Sequence, residues 1–405
     1  MRSAVLNVVL CIAVIVGAAG WPVVGSAAAQ PEAQVCVPLA TWVDPTTRKV
    51  VPVDKLLHMV TKKDVVLLGE HHDLAEHHRW QLQTVAALYA LNPDIALGFE
   101  MFPRRVQPVL DRWVNGELTV EQFLEQSEWL ANWHYDPDLY LALFHFARMN
   151  RIPMYALNID KQLMAKVRDN GWVNIPENER QGVTDPVPAS KPYLNLLAES
   201  FRHHGSGAHA GGDDGEISDI DKQAFTRFVE TQQLWDRAMA GIISAQVKQH
   251  PRTQFIGVMG TGHIVSGFGV PQQLKGLHVD NIATLIPWSH RLDCTDLEAG
   301  IADAVFGLAT DEQPEKPKPR LGVLLDQREQ GVVIMEVIKD SVAESAGLQN
   351  EDVIVEMAGV PARRMQDVME TVTQILPGTW LPIKIRRGTE ALEIVARFPP
   401  STGAE

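Results

Sequence analysis

Two short runs set a histidine three positions after a glycine: Gly69-Glu70-His71-His72 and Gly260-Thr261-Gly262-His263. With 29 glycines and 14 histidines in 405 residues, about one such match arises at random, so the spacing alone says little. Position says more, because each run directly follows an apolar stretch that reads as a buried strand. Glycine there permits a tight turn and a close approach of backbone to a ligand. The free N–H groups of a helix start favour an anion. A second acid, Glu100, closes another apolar stretch. Glu70, His72, Glu100 and His263 together offer two carboxylates and two imidazoles, with His71, Asn158 and Gly262 as supporting positions. Such a set can hold a divalent transition metal that activates water. It can also work without metal, through a glutamate or histidine general base, or it can be a hydrogen-bonded network that only ties strand ends together. No nucleophilic Ser or Cys motif accompanies it, so any hydrolysis would use activated water.

Bringing four such side chains to one edge takes a particular scaffold. Residues 65–68, 95–99, 152–157, 255–259 and 282–286 read as five short apolar strands. Between them, Leu82, Val85, Ala86 and Tyr89 recur at helical spacing behind Asp73, a candidate N-cap. Phe225, Phe228, Val229, Leu234, Met239 and Ile243 suit a helix ahead of the fourth strand. Alternating strands and helices predict an α/β domain over residues 36–300, a mainly parallel sheet with crossover helices. Such sheets place ligands beyond the C-terminal ends of their strands, where the polar residues above fall. Residues 174–192 read as loop. Residues 203–215 are low in complexity, and their histidines and aspartates suit a solvated loop better than a metal site.

Pro and charge then dominate residues 309–319, a linker. Beyond it come Leu321-Gly322-Val323, a strand from Gly331 to Val337, Ala346-Gly347-Leu348, Asp352-Val353-Ile354, a helix with Met365, Val368, Met369, Val372 and Leu376 on one face, and Arg387-Gly388. This order over residues 320–400 resembles a bacterial PDZ domain, a small mixed β/α fold. Glu351 departs from it, standing where the family commonly has glycine. The resemblance implies capture of peptide or protein C-termini, with Leu321, Gly322, Val323 and Leu324 supplying loop and strand. Docking on its own chain, or dimer building, stays open.

Gly69 to His72, Gly98-Phe99-Glu100-Met101-Phe102, Gln233-Leu234-Trp235-Asp236-Arg237-Ala238-Met239-Ala240 and Gly260 to His263 resemble the ChaN-like haem-binding uptake family. That family is grouped with the Tiki proteases and is more distantly similar to erythromycin esterases. The resemblance spans about residues 55–290 and implies haem as ligand and a part in haem or iron uptake. Tyr135, Tyr140, His77, His78 and Met101 are then candidate axial ligands, with the four edge residues shaping the pocket. Trp129, Trp133, Phe144 and Phe146 can line it, although aromatics at this spacing are more often core. The alternative is a metal-dependent hydrolase or protease built on Glu70, His72, Glu100 and His263.

A net charge of -14 repels phosphate backbones and argues against nucleic acid. Arg2, an apolar stretch from Ala4 to about Gly20 and an Ala-rich end near Ala29 read as a secretory signal over residues 1–29, with an uncleaved anchor as the other reading. Family members are generally described as lipoproteins. Here Gln34-Val35 precede Cys36 where a lipoprotein signal wants a small residue, so membrane proximity without a spanning segment stays open. Export to periplasm or cell envelope fits the cysteines: Cys11 leaves with the signal, and Cys36 and Cys294 form a candidate disulfide, or else two buried thiols.

Overall fold

The computed structural model describes residues 35–204, 219–289, 292–309, 319–328, 330–373 and 375–400. The predicted signal and most of the linker and of the 203–215 segment lie outside these residues. The chain divides into two compact units, residues 1–310 and 311–405.

Eight strands build the first unit: β1 (Trp42–Asp44), β2 (Lys49–Val51), β3 (Val65–Leu68), β4 (Ile95–Pro103), β5 (Met154–Asn158), β6 (Gln254–Val258), β7 (Ile282–Ser289) and β8 (Ala304–Leu308). Their order is β2-β1-β8-β7-β3-β6-β4-β5. From β8 to β5 every pair is parallel, while β1 runs antiparallel to both β2 and β8. The central strands are buried on both faces. Along β3, Val66 and Leu68 enter one apolar cluster, with Trp80, Leu88 and Phe144, while Val65 and Leu67 enter another, with Met239, Ala240 and Ile243. Helices Ala75–Leu91 and Asp138–Asn150 cover the first face, and the 31-residue helix Asp219–Gln249 covers the second. Continuous apolar runs are what two-sided burial requires.

Several details differ from the expectations above. Asp73 is not a cap: the helix starts at Ala75, and Leu74 holds the N-cap position without a side-chain hydrogen bond. The strand expected from Ile152 begins at Met154, past Pro153, which lacks an N–H for the ladder. Within 174–192 there is a short 3-10 turn, and a helix already begins at Lys191. The three-residue strands β1 and β2 carry no period in the sequence, and β8 lies beyond residue 300 yet pairs with β7.

The second unit is an antiparallel sheet of β9 (Val323–Arg328), β10 (Gly331–Val337), β11 (Val353–Met357), β12 (Val360–Pro361), β13 (Trp380–Arg387) and β14 (Glu390–Arg397). Helix Met365–Thr373 buries Val368 and Val372 but leaves Met369 exposed. Leu376 lies past its end, exposed, so the expected five-residue face is narrower. Glu351, in the position where glycine was expected, takes a left-handed φ of 67°. That conformation costs an L-residue about 1–2 kcal/mol. Arg328 Nη1 holds the Glu351 carboxylate at 2.9 Å. Arg387 grips the buried Asp352 with two bonds of 2.7 and 2.8 Å, which ties the turn before β11 to the end of β13.

Candidate functional site

The two glycine–histidine runs meet at the strand ends because β3 and β6 are adjacent. The N–H of Thr261 donates to the carbonyl of Glu70 at 2.9 Å. A Cβ on Gly69 would stand 2.7 Å from Thr261 Oγ1, and one on Gly260 would stand 2.9 Å from His72 Cε1. Both glycines are therefore required by contact. At Gly262 a Cβ would meet open space, so room is not the reason for that glycine.

Glu70 is buried beneath this junction. Its Oε1 accepts from His72 Nδ1 at 2.8 Å and from the Tyr140 hydroxyl at 2.8 Å. His78 Nδ1 stands 3.4 Å from Oε2, an ion-pair contact that leaves Oε2 without a hydrogen bond. Burial raises the Glu70 carboxyl, but His72 and His78 outweigh it and hold the pKa at about 2. His72 is raised above its usual value: burial opposes its charge, and the hydrogen bond to Glu70 together with the negative charges of Glu100 and Glu70 outweighs it.

Glu100, buried in β4, accepts the Gly260 N–H at 2.7 Å, and Asn158 donates to its carbonyl at 2.9 Å. His263 stands between two acids, with Nδ1 2.6 Å from Asp236 Oδ1 and Nε2 3.3 Å from Glu100 Oε1. Burial works against the imidazolium, yet the two carboxylates raise His263 to about 10. Asp236 is raised by burial, and its Oδ2 accepts from the Tyr193 hydroxyl at 2.7 Å. One cation is thus shared by two buried acids. Asp236 and Tyr193 received no role from sequence. Asp236 lies inside a run already singled out, whereas Tyr193 carried no signal.

Glu70, His72, Glu100 and His263 therefore share one edge. They do not form a metal-ligand set: both His263 nitrogens face carboxylates, and His72 Nδ1 is spent on Glu70. Among the described residues no three His, Cys, Asp or Glu side chains converge as metal ligands. Glu70 Oε2, Glu100 Oε1, Thr261 Oγ1 and Trp235 Nε1 are buried without hydrogen-bond partners, an arrangement that suits small polar guests such as water.

The other candidates separate by burial. Tyr140 is 1% exposed, donates to Glu70 and accepts from Trp133 Nε1 at 3.0 Å, and burial pushes its pKa far above the phenol range. His77 Nδ1 accepts the His71 N–H at 2.8 Å, His78 is buried against Gln81, and Met101 belongs to the core. Such groups cannot reach a ligand without unpacking. Trp129 and Phe144 are core as well, packed on Phe102. Tyr135 differs. It is 36% exposed, and its ring lies 5.2 Å from that of His72, which also edges Trp133 at 4.7 Å.

The model of the haem-binding uptake family, Tiki superfamily, ChaN, matches residues 56–274, more than half of the chain. The chain belongs to this ChaN family. A PDZ domain model matches residues 319–396. ChaN of Campylobacter jejuni, solved with cofacial haem binding, shares the fold at TM-score 0.52 and 17% identity, over 66% of this chain and 98% of that one. A probable periplasmic serine endoprotease, DegP-like, of Chlamydia trachomatis is 34% identical over 76 residues, and so is one of Chlamydia muridarum. Those stretches are 18% of this chain and 15% of either relative's length. No helix among the described residues is long and apolar enough to cross a membrane.

Proposed function

We propose that this ChaN-family protein is exported, binds haem at the edge carrying Tyr135 and His72, and uses its PDZ unit to capture peptide or protein C-termini. The exposed phenol of Tyr135 beside the imidazole of His72 carries the reading. A tyrosine oxygen is an established haem ligand type, so this donor chemistry fits the group. Tyr135 would hold the iron, and His72, oriented by Glu70, would present Nε2 as a polar neighbour. Bound haem would supply the iron that uptake delivers. The buried tier of Glu70, Tyr140, Glu100 and His263 keeps this rim in place.

For the PDZ unit, β9 ends its sheet and, among the described residues, pairs only with β10, which leaves a strand edge for an added peptide. Export is supported by the disulfide joining Cys36 to Cys294 across a Cα–Cα distance of 5.5 Å, a bond that persists in oxidising compartments.

Titrating the mature protein with ferric haem should give a saturable Soret shift, and Tyr135→Phe should change that spectrum while leaving far-ultraviolet dichroism intact. An identical spectrum in the variant removes Tyr135 as ligand, and no shift in the wild type removes the haem reading. Unpartnered acceptors beside a raised imidazole favour a second reading, hydrolysis by metal-free general base through His72. Turnover of an activated ester that survives chelator and is lost in His72→Asn would carry it, and no turnover would dismiss it.

A further inference from the structure

We infer that Lys161, beside His134 on the Tyr135 loop, recognises the carboxylates of the bound porphyrin. The inference rests on the haem reading above. Lys161 opens helix Lys161–Asn170, and its Nζ donates to the Ala131 carbonyl at 2.7 Å and to His134 Nε2 at 2.9 Å. His134 takes a left-handed φ of 67° directly before Tyr135. The Tyr135 carbonyl accepts from Trp129 Nε1 at 2.8 Å. The ammonium is thus strapped to the loop that presents the phenol.

Two of the acids nearby are held by Arg105, while Asp136, next to Tyr135, accepts the Asp138 N–H at 3.0 Å. Asp160 accepts from Arg105 Nε at 2.7 Å and from Gln181, and Glu128 accepts from both terminal nitrogens of Arg105. Arg105 is therefore neutralised, whereas Lys161 forms no ion pair among those found for the described residues. Partial burial lowers the pKa of Lys161, as expected of a cation without a counter-ion. In a chain of net charge -14, an uncompensated cation at the rim of a site suits an anionic ligand. Haem carries two carboxylates on one edge of its macrocycle. With its iron at Tyr135, it can turn that edge toward Lys161, which keeps its bond to His134 or gives it up for a carboxylate oxygen.

The test compares ferric haem with its dimethyl ester, which lacks the two charges, in Soret titrations of the mature full chain. Lys161→Met should weaken haem about 10-fold, the size of one charge-assisted hydrogen bond, and leave the ester unchanged. Lys161→Arg should restore most of the loss, and the Soret position should stay the same throughout, since the iron ligand is untouched. Equal weakening toward both ligands, or none toward haem, overturns the assignment while the haem reading stands. Wild-type protein that binds neither ligand overturns both.

Discussion

Replacing Asp236 by asparagine tests the buried cluster at its most constrained point. Asp236 is fully buried and holds His263 through Oδ1 at 2.6 Å and Tyr193 through Oδ2 at 2.7 Å. Breaking a buried ion pair by removing one partner costs about 3–5 kcal/mol. Asparagine keeps one acceptor, and it sheds the desolvation that raises the Asp236 carboxyl. The low end applies, about 3 kcal/mol at neutral pH. For a unit of this size that is a fall of roughly 6–12 °C in Tm. The pH profile is a second readout. His263 rises from 6.5 unfolded to about 10 folded, so its stabilisation is complete below pH 6.5 and disappears as pH climbs through about 10. Losing Asp236 lowers the folded value, so in the variant the decline should still begin near pH 6.5 but be smaller and end at lower pH. Urea unfolding followed by tryptophan fluorescence suits the measurement, because Trp380 is the only tryptophan after residue 311. A loss under about 1 kcal/mol, or an alkaline profile matching the wild type, would falsify the shared-cation account.

Cys36→Ser with Cys294→Ser opens a covalent loop of 258 residues and should lower stability by at most about 5 kcal/mol in urea. Reductant should then destabilise the wild type but not the variant, and two thiols alkylated without reductant would refute the bond. In the PDZ unit Gly322 has φ 83°, and a Cβ there would stand 2.3 Å from Ser341 Cβ. Gly322→Val should cost at least about 10-fold in affinity for a C-terminal peptide selected on the wild type, roughly 1.4 kcal/mol; unchanged anisotropy titrations would move the groove elsewhere.

Much of the architecture is written in local pattern. Runs such as Val65–Leu68 and Phe255–Val258 are apolar at every position, a property only two-sided burial explains, and the parallel sheet follows from helices between them. The motifs named the family in the same way, and the close contacts of Gly69 with Thr261 and of Gly260 with His72 give the reason for glycine in each run. The PDZ order was equally plain, down to the odd Glu351, whose left-handed backbone explains why glycine is usual there. Strands β1 and β2 were not readable, since three residues each are too few to show a period. At the site, residue type named the participants but not their partners. His263 faces Asp236 from 27 residues away, Glu70 meets Tyr140 from 70 away, and Tyr193 meets Asp236 from 43 away. No sequence spacing encodes such pairs. Of five candidate haem ligands, only tertiary packing separates Tyr135 on the surface from Tyr140, His77, His78 and Met101 in the interior. Chemistry belongs to the residue type and is legible in a string, whereas burial and partnership belong to the packing of distant segments and exist only once the chain has folded.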